Sequence, residues 1–573
     1  MDIDALRAAA TAWVALAPAD DEPEAVTEML ARGDDAALRE HFGATLDFGT
    51  GGMRGRMGPG TNRMNRLMIR RVTSALAHVL AQTRPGASDQ GVAVAYDARR
   101  RSAAFAEEAA LVLAAAGFVV HLSPTPEPTP VLGFATTFLG AAAGIIITAS
   151  HNPAADNGYK VFDWRGAQIV EPFDTDVCAT MLASSASIAV ADDATRARRV
   201  RLWPSDLLGA YHAGVQAVRI RKSAPLRIVY TPVHGVGGIP ALRALRDAGY
   251  AHVSPVPEQL EPDARFPTVP FPNPEEPGVL ALAMSLASRE HANLILANDP
   301  DADRLAVAVP DRRGGWRQLS GNQVGVLLAN DLLSRDRRSE KDLVATTIVS
   351  TAMVARIAAR YGARCVETLT GFKWIAQAAL AHEANGGRFL FGFEESIGYT
   401  AGTLVRDKDG ISTAVLVADM AAAWHARGLS LADALQSLYQ THGLHVSRPV
   451  SLKRPGLDGL AEIRAAMKRL RSAPPLHLGG RAVVGSRDVL HGVGTRADAS
   501  TYALDLPASD VLAFELEDGS RALIRPSGTE PKIKLYLEAR EALADAEAWE
   551  DAEERVAPAL IEIEKDLRAA AGL

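Results

Sequence analysis

Gly144-Ile145-Ile146-Ile147-Thr148-Ala149-Ser150-His151-Asn152-Pro153 is the stretch on which the fold of this chain turns. Its first half is a short, β-branched apolar run, and its second half is polar. A continuous apolar run of this length predicts a strand buried on both faces, as in a parallel sheet covered by helices. Asn152-Pro153 predicts a sharp turn that presents the Ser150 hydroxyl just past the strand. The same handover recurs in VAVAYDARR (92–100), LRIVYTPVHGVGG (226–238), NLILANDPDADR (293–304) and RFLFGFEESIGY (388–399). In α/β sheets ligands gather beyond the carboxyl ends of the strands, so the loops after these runs are the candidate site.

A chain of 573 residues is too long for one hydrophobic core, and a prior of about 150 residues per domain gives about four domains. Pro/Gly-rich or charged stretches near 200–206, 311–315 and 443–456 predict the boundaries. The expected domains are therefore 1–203, 204–314, 315–442 and 443–573. The Ala-rich first forty residues read as two helices. The last segment alternates, AFELEDGSRALIRPSG, with Asp518-Gly519 as a hairpin signal before a strand, KIKLYLEA, and a terminal helix. The expectation is three similar α/β domains with mixed sheets and a C-terminal α+β domain.

Composition is ordinary, with 48% hydrophobic and 23% charged residues. The net charge of −7 offers no global field for nucleic acid, so an anionic ligand needs a local cluster of cations or backbone amides. Cys178 and Cys365 are the only cysteines, too few for a disulfide framework or a cysteine-rich zinc site. Met-Asp-Ile-Asp is acidic where a signal peptide is basic. The longest apolar run, Ala109 to Val120, falls short of the roughly 18 residues of a membrane span. A cytoplasmic protein without membrane or nucleic-acid partners is expected.

Four loops carry chemistry. A lone turn serine such as Ser150 is more often a cap than a nucleophile. Asp299, Asp301 and Asp303 stand at alternate positions between two apolar runs, where they would repel one another unless they share a hard cation. An EF-hand would need Gly at Arg304 and Glu at Pro310, so Mg²⁺ in a compact all-oxygen site is the expectation. Glu394-Glu395-Ser396 reads equally as acceptors for sugar hydroxyls or as a solvated helix start. Arg525-Pro526-Ser527-Gly528-Thr529-Glu530-Pro531 is either a small nest for a phosphate dianion or a plain turn.

Taken together and in this order, TASHNP, DPDADR, FEES and RPSGTEP resemble the α-D-phosphohexomutase superfamily of phosphoglucomutases and phosphomannomutases. GTGGMRG (49–55), FPTVPFPNPEE (266–276), TLTGFKW (368–374) and DKDG (407–410) resemble the longer-chain branch of type-2 phosphoglucomutases and phosphopentomutases. The resemblance runs from Gly49 to about Tyr536. It implies four domains around a central cleft, with Ser150 as phosphoserine and Asp299, Asp301 and Asp303 binding Mg²⁺ together with a phosphoserine oxygen. Arg54 and Arg304 would steady the transferring group, and His151, Lys160 and Lys373 match cationic positions near the nucleophile. The Glu394-Glu395-Ser396 loop would bind the sugar, with Glu394 and Ser396 gripping its hydroxyls. Arg525, Ser527, Gly528 and Thr529 would hold the phosphate that is not reacting.

Asn298 and Phe393 stand where many relatives have Gly, whereas Ser396 resembles hexose-using members. The implied activity is interconversion of glucose 1-phosphate and glucose 6-phosphate through a sugar 1,6-bisphosphate intermediate. Phosphopentomutase, phosphomannomutase and sugar-bisphosphate synthase are the alternatives, ahead of a non-catalytic phosphosugar-binding regulator. The expected partner is a small phosphosugar, the chain is expected to be a monomer or dimer, and the last domain is expected to move as a lid.

Overall fold

A computed structural model describes residues 2–46, 52–183, 187–221, 224–335, 339–454, 456–527 and 532–573. The chain divides into two compact units, Met1–Leu319 with Ile397–Arg427, and Ser320–Ser396 with Gly428–Leu573.

The first unit holds two mixed sheets. One is built from β1 (Gly52–Arg56), β2 (Val92–Tyr96), β3 (Val120–Leu122), β4 (Ala143–Ile147), β5 (Asp156–Asp163) and β6 (Val200–Leu202), in the order β1-β5-β4-β2-β3-β6. β4, β2, β3 and β6 are parallel, and β5 runs antiparallel between β4 and β1. Its core joins Ile145 and Ile147 to Val92, Val94, Phe105 and Tyr159, all fully buried as the apolar runs require.

The second sheet contains β7 (Arg227–Thr231), β8 (His252–Pro255), β9 (Leu294–Asn298), β10 (Leu305–Pro310) and β11 (Trp316–Leu319), in the order β11-β10-β9-β7-β8. Here too the central strands are parallel and the edge pair antiparallel. Stretch 311–315, near the expected boundary, forms the tight connection between β10 and β11. Gly314 supplies its positive φ of 84°, and Asp311 Oδ1 accepts the Arg313 and Gly315 N–H groups.

At the N-terminus the structure has three α-helices, Ile3–Leu16, Pro23–Arg32 and Asp35–Phe42, where two were expected. Gly33 at φ +62° ends one and Asp34 caps the next, and these adjacent signals split the Ala-rich stretch.

In the second unit β12 (Asp342–Thr347), β13 (Arg364–Thr368) and β14 (Arg388–Glu394) form a parallel group with β12 in the middle. β15 (Gly398–Ala401), next in sequence, and the helix Gly410–His425 belong to the first unit. Within the expected domain 315–442, that helix packs on β9 and β10 and its Asp419 pairs with Arg219.

The C-terminal sheet is entirely antiparallel, built from β16 (Leu444–Lys453), β17 (His477–Leu478), β18 (Arg481–Asp488), β19 (Val493–Arg496), β20 (Thr501–Ala503), β21 (Leu512–Leu516), β22 (Arg521–Pro526) and β23 (Lys532–Glu541). The Asp518-Gly519 hairpin joins β21 to β22 as expected, with Gly519 at φ +85°. Past the expected boundary at 443, β16 pairs along its full length with β23.

Buried ionic bonds tie this sheet into its own unit. Arg521 bonds to Glu538 at 2.9 Å and to the Ile348 and Ser350 carbonyls, and His445 bonds to Glu538 as well. Burial opposes the Glu538 charge, yet Arg521 and then His445 hold its carboxyl well below the usual range. Among the described residues, no helix is long and apolar enough to cross a membrane.

Candidate active site

Ser150 leaves β4 into a turn where its own backbone takes φ +50°, a left-handed conformation that disfavours any side chain larger than Gly. Its N–H donates to Thr148 Oγ1 at 2.9 Å. Its hydroxyl, fully buried, donates to Asp299 Oδ2 at 2.8 Å and lies 3.2 Å from His151 Nδ1. A turn serine with the null role of a cap would bond a nearby backbone N–H. This hydroxyl instead reaches a carboxylate 149 residues away.

The acidic loop is a tight link between antiparallel β9 and β10. Asn298 staples it: its amide donates to the Arg304 carbonyl at 2.6 Å and its oxygen accepts from Tyr230 Oη at 2.8 Å. Gly235 is needed beside it, because a Cβ there would lie 2.3 Å from Pro300 Cα. Asp299, Asp301 and Asp303 each bring a carboxylate oxygen within 4.8 Å of the others, and all three are buried.

Lys160 of β5 donates to Asp301 Oδ2 at 2.7 Å and Asp303 Oδ2 at 3.2 Å, and Thr129 Oγ1 donates to Asp301 Oδ2 at 2.6 Å. Arg304 N–H donates to Asp299 Oδ1 at 3.0 Å. Burial, Asp301 and Asp303 together push the Asp299 carboxyl well above its ordinary value. Burial also opposes the Asp301 charge, but Lys160 and Thr129 outweigh it and hold that carboxyl below the usual range.

Asp301 Oδ1 and Asp303 Oδ1 are buried without a hydrogen-bond partner among the described residues. Two orphaned anionic oxygens beside a third carboxylate fit a small hard cation such as Mg²⁺.

Arg54 on β1 keeps part of its surface exposed, yet desolvation of its guanidinium lowers its pKa first, with Asp301 favouring and Arg304 opposing its charge. Arg304 Nε lies 3.7 Å from Asp303 Oδ1. His151 packs edge-on against Phe271, with centroids 5.9 Å apart. Burial followed by the Arg304 and Arg54 charges keeps it neutral, well below the usual histidine range. One further cation was not singled out from sequence: Lys408 of DKDG, with Nζ 3.1 Å from Asp407 Oδ1 and 3.5 Å from Asp303 Oδ2. Its motif was visible, but no spacing rule links residues 303 and 408.

The second unit carries the other residues. Glu394 ends β14 and is buried. Glu395 is tied into its own unit, accepting from Thr347 Oγ1 and Ser350 Oγ at 3.2 Å each while its N–H donates to Ser350 Oγ. These contacts fix the position of Glu395 within its own unit. Ser396 follows, half-buried.

Lys373 sits in the first turn of helix Phe372–Ala384, mostly buried, with Nζ 5.6 Å from the Trp374 ring centroid. Arg525 closes β22, its Nε 3.4 Å from the Pro526 carbonyl, and Ser527 N–H donates to the Lys532 carbonyl at 2.8 Å. Gly528 and Thr529 lie outside the described residues. Tyr536 links the two loops, since its hydroxyl, pushed up first by burial, feels Glu395, Arg525 and Glu394.

Four family profiles match the chain in order. They are phosphoglucomutase/phosphomannomutase alpha/beta/alpha domain I over 45–188, domain II over 209–314, domain III over 320–442 and the C-terminal domain over 457–556. A Haemophilus influenzae protein named "Probable phosphomannomutase" is 38% identical over 83% of this chain and 93% of its own length. The human phosphopentomutase is 34% identical over 90% of this chain and 88% of its own. A Staphylococcus aureus phosphoglucomutase is 35% identical over 87% of this chain and 90% of its own. With all four profiles matched in sequence order, the chain belongs to the phosphoglucomutase/phosphomannomutase family of intramolecular phosphotransferases.

Proposed function

We propose that this protein is a phosphosugar mutase that interconverts glucose 1-phosphate and glucose 6-phosphate, with Ser150 as the carrier of the transferable phosphoryl group. The observation that carries the reading is the buried Ser150 hydroxyl bonded to Asp299 within an acidic triplet that keeps two oxygens unpartnered. Domains 1–203, 204–314, 315–442 and 443–573 would contribute the phosphoserine, the metal loop, the sugar loop and the phosphate loop.

Phosphoryl transfer is mostly positioning and neutralisation of charge. Phosphoserine 150 gives its group to the free hydroxyl of the bound sugar phosphate: the P–Oγ bond breaks, a P–O bond to the sugar forms, and the hydroxyl proton passes to a base. The resulting sugar 1,6-bisphosphate turns end for end and returns its other phosphate to Ser150. Arg54, Arg304, Lys160 and Lys408 surround this group with positive charge, and His151, neutral, orients the hydroxyl.

Asp299, Asp301 and Asp303 would hold Mg²⁺, which when bound neutralises the phosphoserine and polarises its oxygens. Glu394 and Ser396 accept and donate to sugar hydroxyls. Lys373 serves as clamp or acid. Arg525, Ser527, Gly528 and Thr529 hold whichever phosphate is idle.

Glucose is placed first on the Glu394-Glu395-Ser396 loop. A pentose phosphate is the second reading, favoured by the human phosphopentomutase among the relatives. Assaying the 1-phosphates of glucose, mannose and ribose side by side, with and without the matching bisphosphate, decides between them. A higher kcat/KM for ribose 1-phosphate rejects glucose. Accumulation of free bisphosphate in place of isomerised product identifies a synthase.

A further inference from the structure

The run VAVAYDARR supplies two buried ionic residues to which the chemistry above gives no task, Asp97 and Arg99. β2 lies beside β4 in parallel register, so the loop after β2 arrives next to the Ser150 turn. There the Arg99 guanidinium grasps that turn from beneath. Nη2 donates to the carbonyls of Ser150 at 2.6 Å and Asn152 at 2.5 Å, and Nη1 to those of Pro153 at 2.8 Å and Asp156 at 3.3 Å. A planar fork with five N–H donors can serve several acceptors at once, which a lysine ammonium cannot do in that plane. The Phe266 ring covers the guanidinium at 4.9 Å.

The N–H side of Ser150 is held too, by Thr148 Oγ1 at 2.9 Å. Asp97 stands behind both arms. It accepts the Arg99 N–H at 2.9 Å and the Ser102 hydroxyl at 2.6 Å, and its carboxylate lies 3.4 Å from Arg99 Nε. Burial pushes the Asp97 carboxyl up, while Arg99, Ser102 and Thr148 favour its charge. Ser150 needs such a grip because its φ of +50° is one an L side chain adopts only when its surroundings impose it.

We propose that Arg99, oriented by Asp97 and acting with Thr148, is a positioning residue that holds Ser150 in its left-handed conformation so that Oγ faces the acidic triplet. The inference rests on Ser150 being the phosphoryl carrier. The side-chain bonds described for Arg99 go to the Ser150 turn and to Asp97, so its loss is expected to slow transfer without weakening substrate binding.

The test compares the full-length native enzyme with Arg99→Lys, Arg99→Ala and Thr148→Val. It measures kcat, KM, and the rate at which glucose 1,6-bisphosphate phosphorylates each protein by intact mass. Arg99→Lys is expected to lower kcat and the phosphorylation rate by roughly 10²-fold, the effect of a misplacement near 1 Å, with KM little changed. Millimolar guanidinium is expected to restore part of the Arg99→Ala rate, a rescue that a general loss of folding would not show. A folded Arg99→Lys with native kcat, or with its loss confined to KM, overturns the proposal. Should the Arg99 variants fail to fold, Thr148→Val decides: a lower kcat at constant KM supports the grip, and native kcat overturns it. A native protein that never takes up a phosphoryl group on Ser150 instead sinks the functional reading beneath it.

Discussion

The two halves of the candidate machinery are built to different standards of closure. In the first unit Ser150, Asp299, Asp301, Asp303 and Lys160 are all buried, and they hold one another through bonds between residues far apart in sequence. In the second unit Glu394 and Lys373 are buried too, but the Arg525 side chain makes, among the described residues, a single long hydrogen bond to its neighbour's carbonyl, and Ser396 and Ser527 are half-buried. The difference matches the two tasks. A phosphoryl group must always be met by the same charges, so those charges are fixed in advance and shielded from water. A loop proposed to accept either end of a turning bisphosphate has no single partner to be fixed against.

Damage to the closed half should be the most severe. Asp301→Asn removes the negative charge that pairs with Lys160 and would bind the metal, and kcat is expected to fall by about 10³-fold or more, with KM far less affected. Chelation should likewise abolish activity until Mg²⁺ is returned. Initial rates across a Mg²⁺ titration check both, and a near-native kcat for Asp301→Asn would erase the contrast between the halves.

The next effect concerns the anchor beneath the open half. Arg521→Met strands the buried Glu538, and breaking such a pair costs about 3–5 kcal/mol, read as denaturant-unfolding stability. The pH dependence follows from the same carboxyl. Its pKa is depressed in the folded state, so its stabilisation is complete above the unfolded value of about 4.3 and is lost as pH falls below it. Melting curves of native protein and Glu538→Gln should diverge at neutral pH and converge in acid. Parallel curves would mean that Glu538 is not the group responsible.

Arg525→Ala is smaller and of a different kind. It should raise KM for both the 1-phosphate and the 6-phosphate by roughly 10–100-fold, since one charge-assisted contact to phosphate is lost. A change for one substrate only would show that the loop does not serve both ends. The smallest effect is expected from Glu395→Gln, which weakens the bonds from Thr347 and Ser350 by about 1 kcal/mol and leaves KM nearly unchanged. A large rise in KM would place Glu395 in the sugar site.

The sequence exposed most of the closed half because its parts are local. An apolar run followed by a turn predicts a strand end, and three carboxylates at alternate positions demand a cation wherever they are buried. What stayed hidden depends on pairings across distance. No periodicity connects Lys408 to Asp303, Thr129 to Asp301 or Arg99 to the Ser150 carbonyl.

At 311–315 and 443–456 the strand pairing was likewise not visible in the sequence. Gly, Pro and charge mark a hairpin turn or a polar edge strand as readily as a linker, and only strand pairing tells them apart. Glu394 and Glu395 looked equivalent in sequence. Ser350, 45 residues away, separates them by tying Glu395 down.

The central claim is that Ser150 carries the phosphoryl group, and intact-mass measurement of the purified enzyme after brief exposure to glucose 1,6-bisphosphate addresses it directly. The account predicts one added phosphoryl group, localised to Ser150, lost on addition of excess sugar monophosphate and absent from Ser150→Ala. An unmodified native protein that still turns over, or a Ser150→Ala variant that still becomes labelled, would contradict it.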